Sequence, residues 1–85
     1  MIIILIEVFE VKLADININA PVTIVELGCS NQLVCRRLND LGIVEGCQVC
    51  IKQRLPFGGP ITLEADGQWI AIRRKEALQI VVEAV

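Results

Sequence analysis

Apolar and polar positions alternate with a period of two over most of the second half of the chain, and that period predicts strands. Val49, Ile51 and Leu55 fall on one side of a half-buried strand, with Gln48, Cys50, Lys52 and Arg54 on the other. A second run sets Ile61, Leu63 and Ala65 inward and Thr62, Glu64 and Asp66 outward. Asp66-Gly67 is a strong two-residue hairpin signal, so Trp69 to Arg73 is expected to return antiparallel with Ile70 and Ile72 inward. Pairing of the first two runs brings Lys52 and Arg54 beside Glu64 and Asp66, a charge complement worth about 0.2 to 1 kcal/mol per pair towards fixing register. Earlier in the chain Val22 to Leu27 also alternates, with Thr23, Val25 and Leu27 on one face and Glu26 on the other, and reads as the first barrel strand. Ile80 to Ala84 supplies the last strand, after a Lys75 to Leu78 segment too short for more than one helical or 3₁₀ turn.

One stretch follows a different period. Ser30 offers an N-cap, Val34, Leu38 and Leu41 recur at i, i+4 and i+7, and Gly42 stands where a C-cap belongs. About three turns of amphipathic helix are therefore expected from residue 31 to 41, anchored by Leu38 and Leu41. Leu13 to Pro21 is a polar connection in which Asn19 suits a left-handed turn position. Met1 to Val11 is apolar and β-branched, and long unpaired strands of that kind seek partners. It is expected to pair with a barrel edge or with its counterpart in a second molecule, forming a homodimer. The organisation is thus an extension over residues 1–12 and one domain over 13–85, mostly β with one inserted short helix, in a small barrel of about five strands.

Composition narrows the function. At 85 residues only one core fits, and about 60 to 65% of the unfolded surface can be buried, which leaves little margin for a deep cavity. Apolar residues are 54% and aromatics 4%, so the core is aliphatic. The net charge of −2 is spread along the chain, giving no field for nucleic acid or an anionic membrane. Met1 to Ile6 is too short to span a bilayer and has no Lys or Arg ahead of it, so a cytoplasmic protein without direct membrane insertion is expected, with its cysteines as reduced thiols. The chain has no histidine, which removes Ser/His/Asp and Cys/His arrangements, and no glycine-rich loop precedes a helix to cradle a phosphate. No enzymatic activity is expected.

Four groups of side chains invite a sharper reading. Cys29, Cys35, Cys47 and Cys50 include a Cys-x-x-Cys pair, but that pair enters a strand, where residues three apart face opposite ways. Cys47 would turn inward with Val49 and Cys50 outward with Lys52, so no metal ligands are assigned and no cofactor is required. Weak contact of Fe(II) or another divalent transition metal with carboxylates such as Glu64 and Asp66 stays open. Pro56-Phe57-Gly58-Gly59-Pro60 is either a recognition loop with Phe57 as exposed anchor or a hairpin connection with Phe57 folded onto the core. Trp69 is a contact residue or, as the usual burial of tryptophan favours, the lid of the barrel's second side. Arg36, Arg37, Arg73, Arg74 and Lys75 form a basic patch for acidic partners or an ordinary solvated surface. The candidate partner-binding set is therefore Arg36, Arg37, Pro56, Phe57, Gly58, Gly59, Pro60 and Trp69.

Three segments in this order resemble the FeoA family, small cytoplasmic proteins encoded with the ferrous-iron permease FeoB. They are Arg37-Leu38-x-x-Leu41-Gly42-Ile43-x-x-Gly46, Leu55-Pro56-Phe57-Gly58-Gly59-Pro60, and Ile70-Ala71-Ile72-Arg73-Arg74-x-Glu76-Ala77-x-x-Ile80-x-Val82. The similarity spans roughly Leu13 to Glu83. It implies an SH3-like β-barrel, a regulatory role in bacterial ferrous-iron uptake through contact with the cytoplasmic part of FeoB, and transition-metal binding as the alternative. A generic protein-interaction module is the third reading. The chain departs from the family where Ile18-Asn19 replaces a usual Pro-Gly pair, and the segment Met1 to Val11 extends beyond the usual start. The same domain closes DtxR-type repressors, whose DNA-binding half is absent here.

Overall fold

Asp66 and Gly67 both take the left-handed backbone their sequence favours, with φ of 52° and 79°. That tight turn joins two strands that pair in unbroken register from Ile61↔Ile72 to Ala65↔Gln68. The structure is a computed structural model that describes residues 11–29 and 31–85. Its elements in chain order are β1 (Val11–Lys12), a 3₁₀ turn (Leu13–Asp15), β2 (Val22–Glu26), α1 (Gln32–Asp40), β3 (Gln48–Arg54), β4 (Ile61–Ala65), β5 (Gln68–Ile72), α2 (Arg74–Ala77) and β6 (Val81–Ala84). Among the described residues six strands form one antiparallel sheet in the order β1-β6-β2-β3-β4-β5, with β1 and β5 at its two ends. The short β1 is the addition to the strands expected. The pairing and dimerisation expected of Met1 to Val11 concern, apart from Val11, segments outside the described residues.

The core is aliphatic. Ile24, Ile51, Ile61, Leu63, Ile72 and Ile80 are essentially sealed from solvent, and Leu38 and Ile43 join them from the helix and the loop after it. Among the described residues no aromatic ring enters this core. Leu13 and Ala14, expected in a polar connection, are buried as well, because the 3₁₀ turn rolls them under the sheet. Asn19 does adopt a left-handed backbone, φ 69°.

Several side chains stand elsewhere than the pattern predicts. In β2 the buried residues are Val22 and Ile24, while Val25, grouped by the alternation with Thr23 and Leu27, is exposed. Val22 to Val25 are four consecutive residues of strand-forming type, so the run carries no parity of its own, and a register shift between Ile24 and Glu26 breaks what alternation there is. In β3 a second shift between Ile51 and Gln53 puts two residues opposite one. Beyond it Arg54 sits opposite the buried Ile61, and Leu55 emerges into solvent. Arg54 therefore does not meet the acids of β4; its guanidinium donates to the carbonyls of Ala14 and Ile16 and ties the 3₁₀ segment to the sheet. Lys52 keeps its expected partner, Glu64, at 3.3 Å.

Helix α1 is capped one residue later than expected. Ser30 lies outside the described residues, and the Asn31 side chain accepts from the Leu33 amide at 2.7 Å. Leu38 is the buried anchor, with Val34 and Leu41 packed partly against the core. Cys29 and Cys35, expected as thiols, are joined by a disulfide with their Cα atoms 5.7 Å apart. The first helical turn folds back over the loop that leads into it, which brings the two sulfurs together. Gly28, one residue before this pair, has φ 59°, and a Cβ there would intrude on the Gln79 carbonyl oxygen ahead of β6.

Candidate functional site

The β3–β4 connection takes its shape from two consecutive left-handed residues, Phe57 at φ 60° and Gly58 at φ 73°, closed by the Gly59 amide donating to the Pro56 carbonyl at 3.2 Å. This is a tight turn of the kind that Asn-Gly fills most easily. A phenylalanine in that conformation carries backbone strain of about 1 to 2 kcal/mol. It also gains nothing from burial, because the ring of Phe57 is fully exposed at 104% of its reference area. Of the two readings of this loop, the ring held out to solvent is the one observed. Leu55, Pro56 and Pro60 are exposed around it.

Beside this turn lies the basic end of α2. A side-chain carbon on Gly58 would meet the Arg74 Cδ, so the loop passes directly over that arginine. Arg73 and Lys75 are exposed on either side. Arg37 reaches in from α1, but as one half of an ion pair: its Nη1 donates to both carboxylate oxygens of Glu76, at 2.7 and 2.6 Å. Glu76 is 95% buried and its carboxylate also accepts from the Arg73 amide at 2.9 Å, closing the first turn of α2. Burial pushes the pKa of this carboxyl up, but the hydrogen bonds from Arg37 and Arg73, with their charges, outweigh it and hold the pKa below the ordinary value. Arg37 thus has a structural task that fixes α1 to α2 and β5, and Arg36 beside it is exposed. The net result at this end is one exposed ring beside Arg73, Arg74 and Lys75, with Glu76, the one buried acid among the described residues, already paired.

Trp69 stands apart from that cluster. It lies opposite Glu64, which lies opposite Cys50, so the three form one row across β5, β4 and β3 on the outer face. The ring is 65% exposed, which overturns the expected lid: no second layer covers that face among the described residues. Three strand residues, roughly 10 Å, separate its row from the end of β4 that leads to Phe57. The structure therefore groups Phe57 with the arginines and leaves Trp69 near the other end of the hairpin.

An open groove of about 590 Å³ runs past the Asp66-Gly67 turn, bordered by Cys47, Cys50, Glu64 and Leu41 among others. Both free cysteines are half-buried. Cys47 precedes β3 and packs partly against the core, while Cys50 lies across from Glu64. The Glu64 carboxylate is engaged by Lys52, whose ammonium pKa that hydrogen bond holds above its ordinary value, and Lys52 also donates to Asn19 Oδ1 at 3.2 Å. Among the described residues no group of three or more Cys, Asp or Glu is arranged to hold a metal ion.

The family model of the FeoA domain matches residues 11–84. The chain belongs to the FeoA family. Among solved structures, a FeoA-like protein from Clostridium acetobutylicum is 30% identical, with a TM-score of 0.76 over 89% of this chain and 87% of that one. Iron(II) transport protein A from Clostridium thermocellum is 33% identical, with a TM-score of 0.80 over 88% of this chain and 46% of that one. FeoA from Stenotrophomonas maltophilia, solved with zinc, is 25% identical, with a TM-score of 0.72 over 86% of this chain and 89% of that one. That last protein is described as a prokaryotic SH3-domain protein and a candidate activating factor of ferrous-iron transport. No curated protein matches the chain. The curled antiparallel sheet with one short helix is accordingly the SH3-like fold of the FeoA family. Among the described residues no helix is long and apolar enough to cross a membrane.

Proposed function

We propose that this FeoA-family protein is a cytoplasmic accessory protein of ferrous-iron uptake that works by docking rather than catalysis, pressing the Phe57 turn and its arginines against the cytoplasmic part of a FeoB-type permease. The observation that carries this reading is Phe57: a bulky ring in a strained left-handed backbone, wholly in water, lowers the stability of the free protein and suits a contact anchor. The surrounding basic residues match a partner surface that is apolar at its centre and acidic at its rim. Family membership and the iron-transport relatives support the choice of such a permease as the partner. No cofactor is needed for docking.

The test is titration of the isotope-labelled protein with a purified cytoplasmic part of a FeoB-type permease. Amide shifts are expected to concentrate at Leu55 to Gly59 and at Arg73 and Arg74. Phe57→Asn should weaken binding by roughly tenfold or more, the loss typical of a central anchor. The same change makes an Asn-Gly turn, so the free variant should melt higher, by about 4 to 8 °C for each kcal/mol of strain relieved. Absence of shifts, or unchanged affinity in the variant, overturns the docking surface. A second reading, a metal-responsive domain, is favoured by the zinc bound to the Stenotrophomonas relative and by the two thiols and Glu64 along the open groove. It predicts that anaerobic Fe(II) alone shifts the amides of Cys47 to Cys50, with no permease present.

A further inference from the structure

We infer that Cys29–Cys35 is a reversible thiol-exchange site that sets the order of the N-terminal half of α1. The four cysteines divide into one bonded pair and two free thiols. Cys29 and Cys35 are both half-buried, outside the sealed core, and a disulfide in such a place is the kind that thiols exchange most readily. Disulfides that form where cellular thiols prevail are characteristically transient or redox-sensing rather than structural staples.

The position of the bond gives it a consequence. Helix α1 is nine residues long, shorter than the length at which a helix holds itself together in water. Its attachments are unevenly distributed. The C-terminal half has the buried Leu38 and the Arg37 bridge to Glu76. In the N-terminal half Leu33 is 74% exposed, Arg36 is exposed, and Val34 is only partly buried. Besides the partial packing of Val34, what ties that half to the sheet is the disulfide: Cys35 is bonded to Cys29, which follows Gly28, whose backbone rests on Gln79 next to β6. The loop it closes contains the Asn31 cap and the first helical hydrogen bond, from the Cys35 amide to the Asn31 carbonyl at 3.0 Å.

The exchange is an ordinary two-electron step. A thiolate of a small or protein dithiol attacks one sulfur, forming a mixed disulfide and releasing the other cysteine as a thiolate that takes a proton. The second thiolate of the reagent then displaces the remaining cysteine, which is protonated in turn, and the reagent leaves as a disulfide. A disulfide of the same class reverses the sequence. Reduction opens the closed loop and leaves the first turn of α1 held by its cap and the partial packing of Val34. Resting on the ferrous-iron reading, this links the helix to the reducing conditions under which iron stays ferrous; the site itself does not depend on that reading.

The experiment is alkylation and amide hydrogen exchange of the full chain in an oxidised buffer free of glutathione and again in a dithiothreitol buffer, removed before the alkylation, with no partner present. In oxidised buffer the reagent is expected to modify only Cys47 and Cys50, and after dithiothreitol all four cysteines. Exchange at Cys35 and Arg36 should accelerate roughly tenfold on reduction, while Ile51 and Leu63 in the sheet stay unchanged. The Cys29→Ser/Cys35→Ser variant should show the fast rate in both buffers, and Cys47→Ser/Cys50→Ser should behave as the parent. Modification of all four cysteines in oxidised buffer overturns the site. Equal exchange rates in the two buffers overturn its effect on the helix. Both results are read on the unaltered protein, so neither depends on a variant folding.

Discussion

Arg37→Ala is expected to destabilise the protein by about 2 to 3 kcal/mol at neutral pH, because it leaves the Glu76 carboxylate buried without its cation. The guanidinium side chain is 44% exposed, so solvent screens the pair and the expected loss stays at or below the low end for a buried ion pair. The sign of the pH dependence identifies the cause. In the parent protein Glu76 titrates below its ordinary value near 4.5, so its stabilisation is complete above that pH and is lost as pH falls through the lowered folded value. In the variant the burial that raises the pKa remains while the opposing charge and hydrogen bonds of Arg37 are gone. The carboxyl then titrates higher than it does in the parent, and the variant recovers relative to the parent as pH falls. Urea denaturation of both proteins at pH 7 and pH 4 measures this. A deficit below about 1 kcal/mol at pH 7, or one that does not shrink in acid, would sink the account. The Phe57 turn should loosen as well, since α2 carries both Glu76 and the Arg74 beneath Gly58.

Gly28→Ala should cost about 2 to 5 kcal/mol. Two terms combine. A non-glycine residue at φ 59° carries left-handed strain of about 1 to 2 kcal/mol, and the new methyl must also displace the Gln79 carbonyl, an overpacking cost of about 1 to 3 kcal/mol. Gln79 is held by its own amide bonding to the Glu76 carbonyl, so the displacement is resisted by α2. Gly67→Ala is the control, because it has φ 79° and open space around the added carbon. It should show the strain term alone. Thermal melting of the two variants separates the contributions: Gly28→Ala is expected to fall by well over 10 °C and Gly67→Ala by roughly half as much or less. If both melt at the same temperature, the close approach to Gln79 carries no energy. A loss of 3 kcal/mol is a large share of the 5 to 15 kcal/mol that holds a domain of this size together.

The two arginines of the candidate set met different fates, which shows what one-dimensional reading misses. Arg36 and Arg37 look alike in sequence, but Arg37 is matched to an acid 39 residues away, and only folding brings α1 and α2 together. The exposed Phe57 was one of two open readings of its loop, and the left-handed turn decided between them.

What the chain determines by itself is local. Period-two alternation fixes the buried faces of β4 and β5, Asp66-Gly67 fixes the turn between them, the i, i+4, i+7 spacing fixes the helix, and three motifs in order mark the family. These are legible because each depends on neighbours within a few residues. The inward face of β2, the turning of Arg54 to the Ala14 and Ile16 carbonyls, the exposure of Trp69 and the joining of Cys29 to Cys35 were decided by tertiary structure. A run of β-branched residues has no parity until a sheet buries one side, a bulge shifts every side chain beyond it, and a ring's exposure depends on what packs above it.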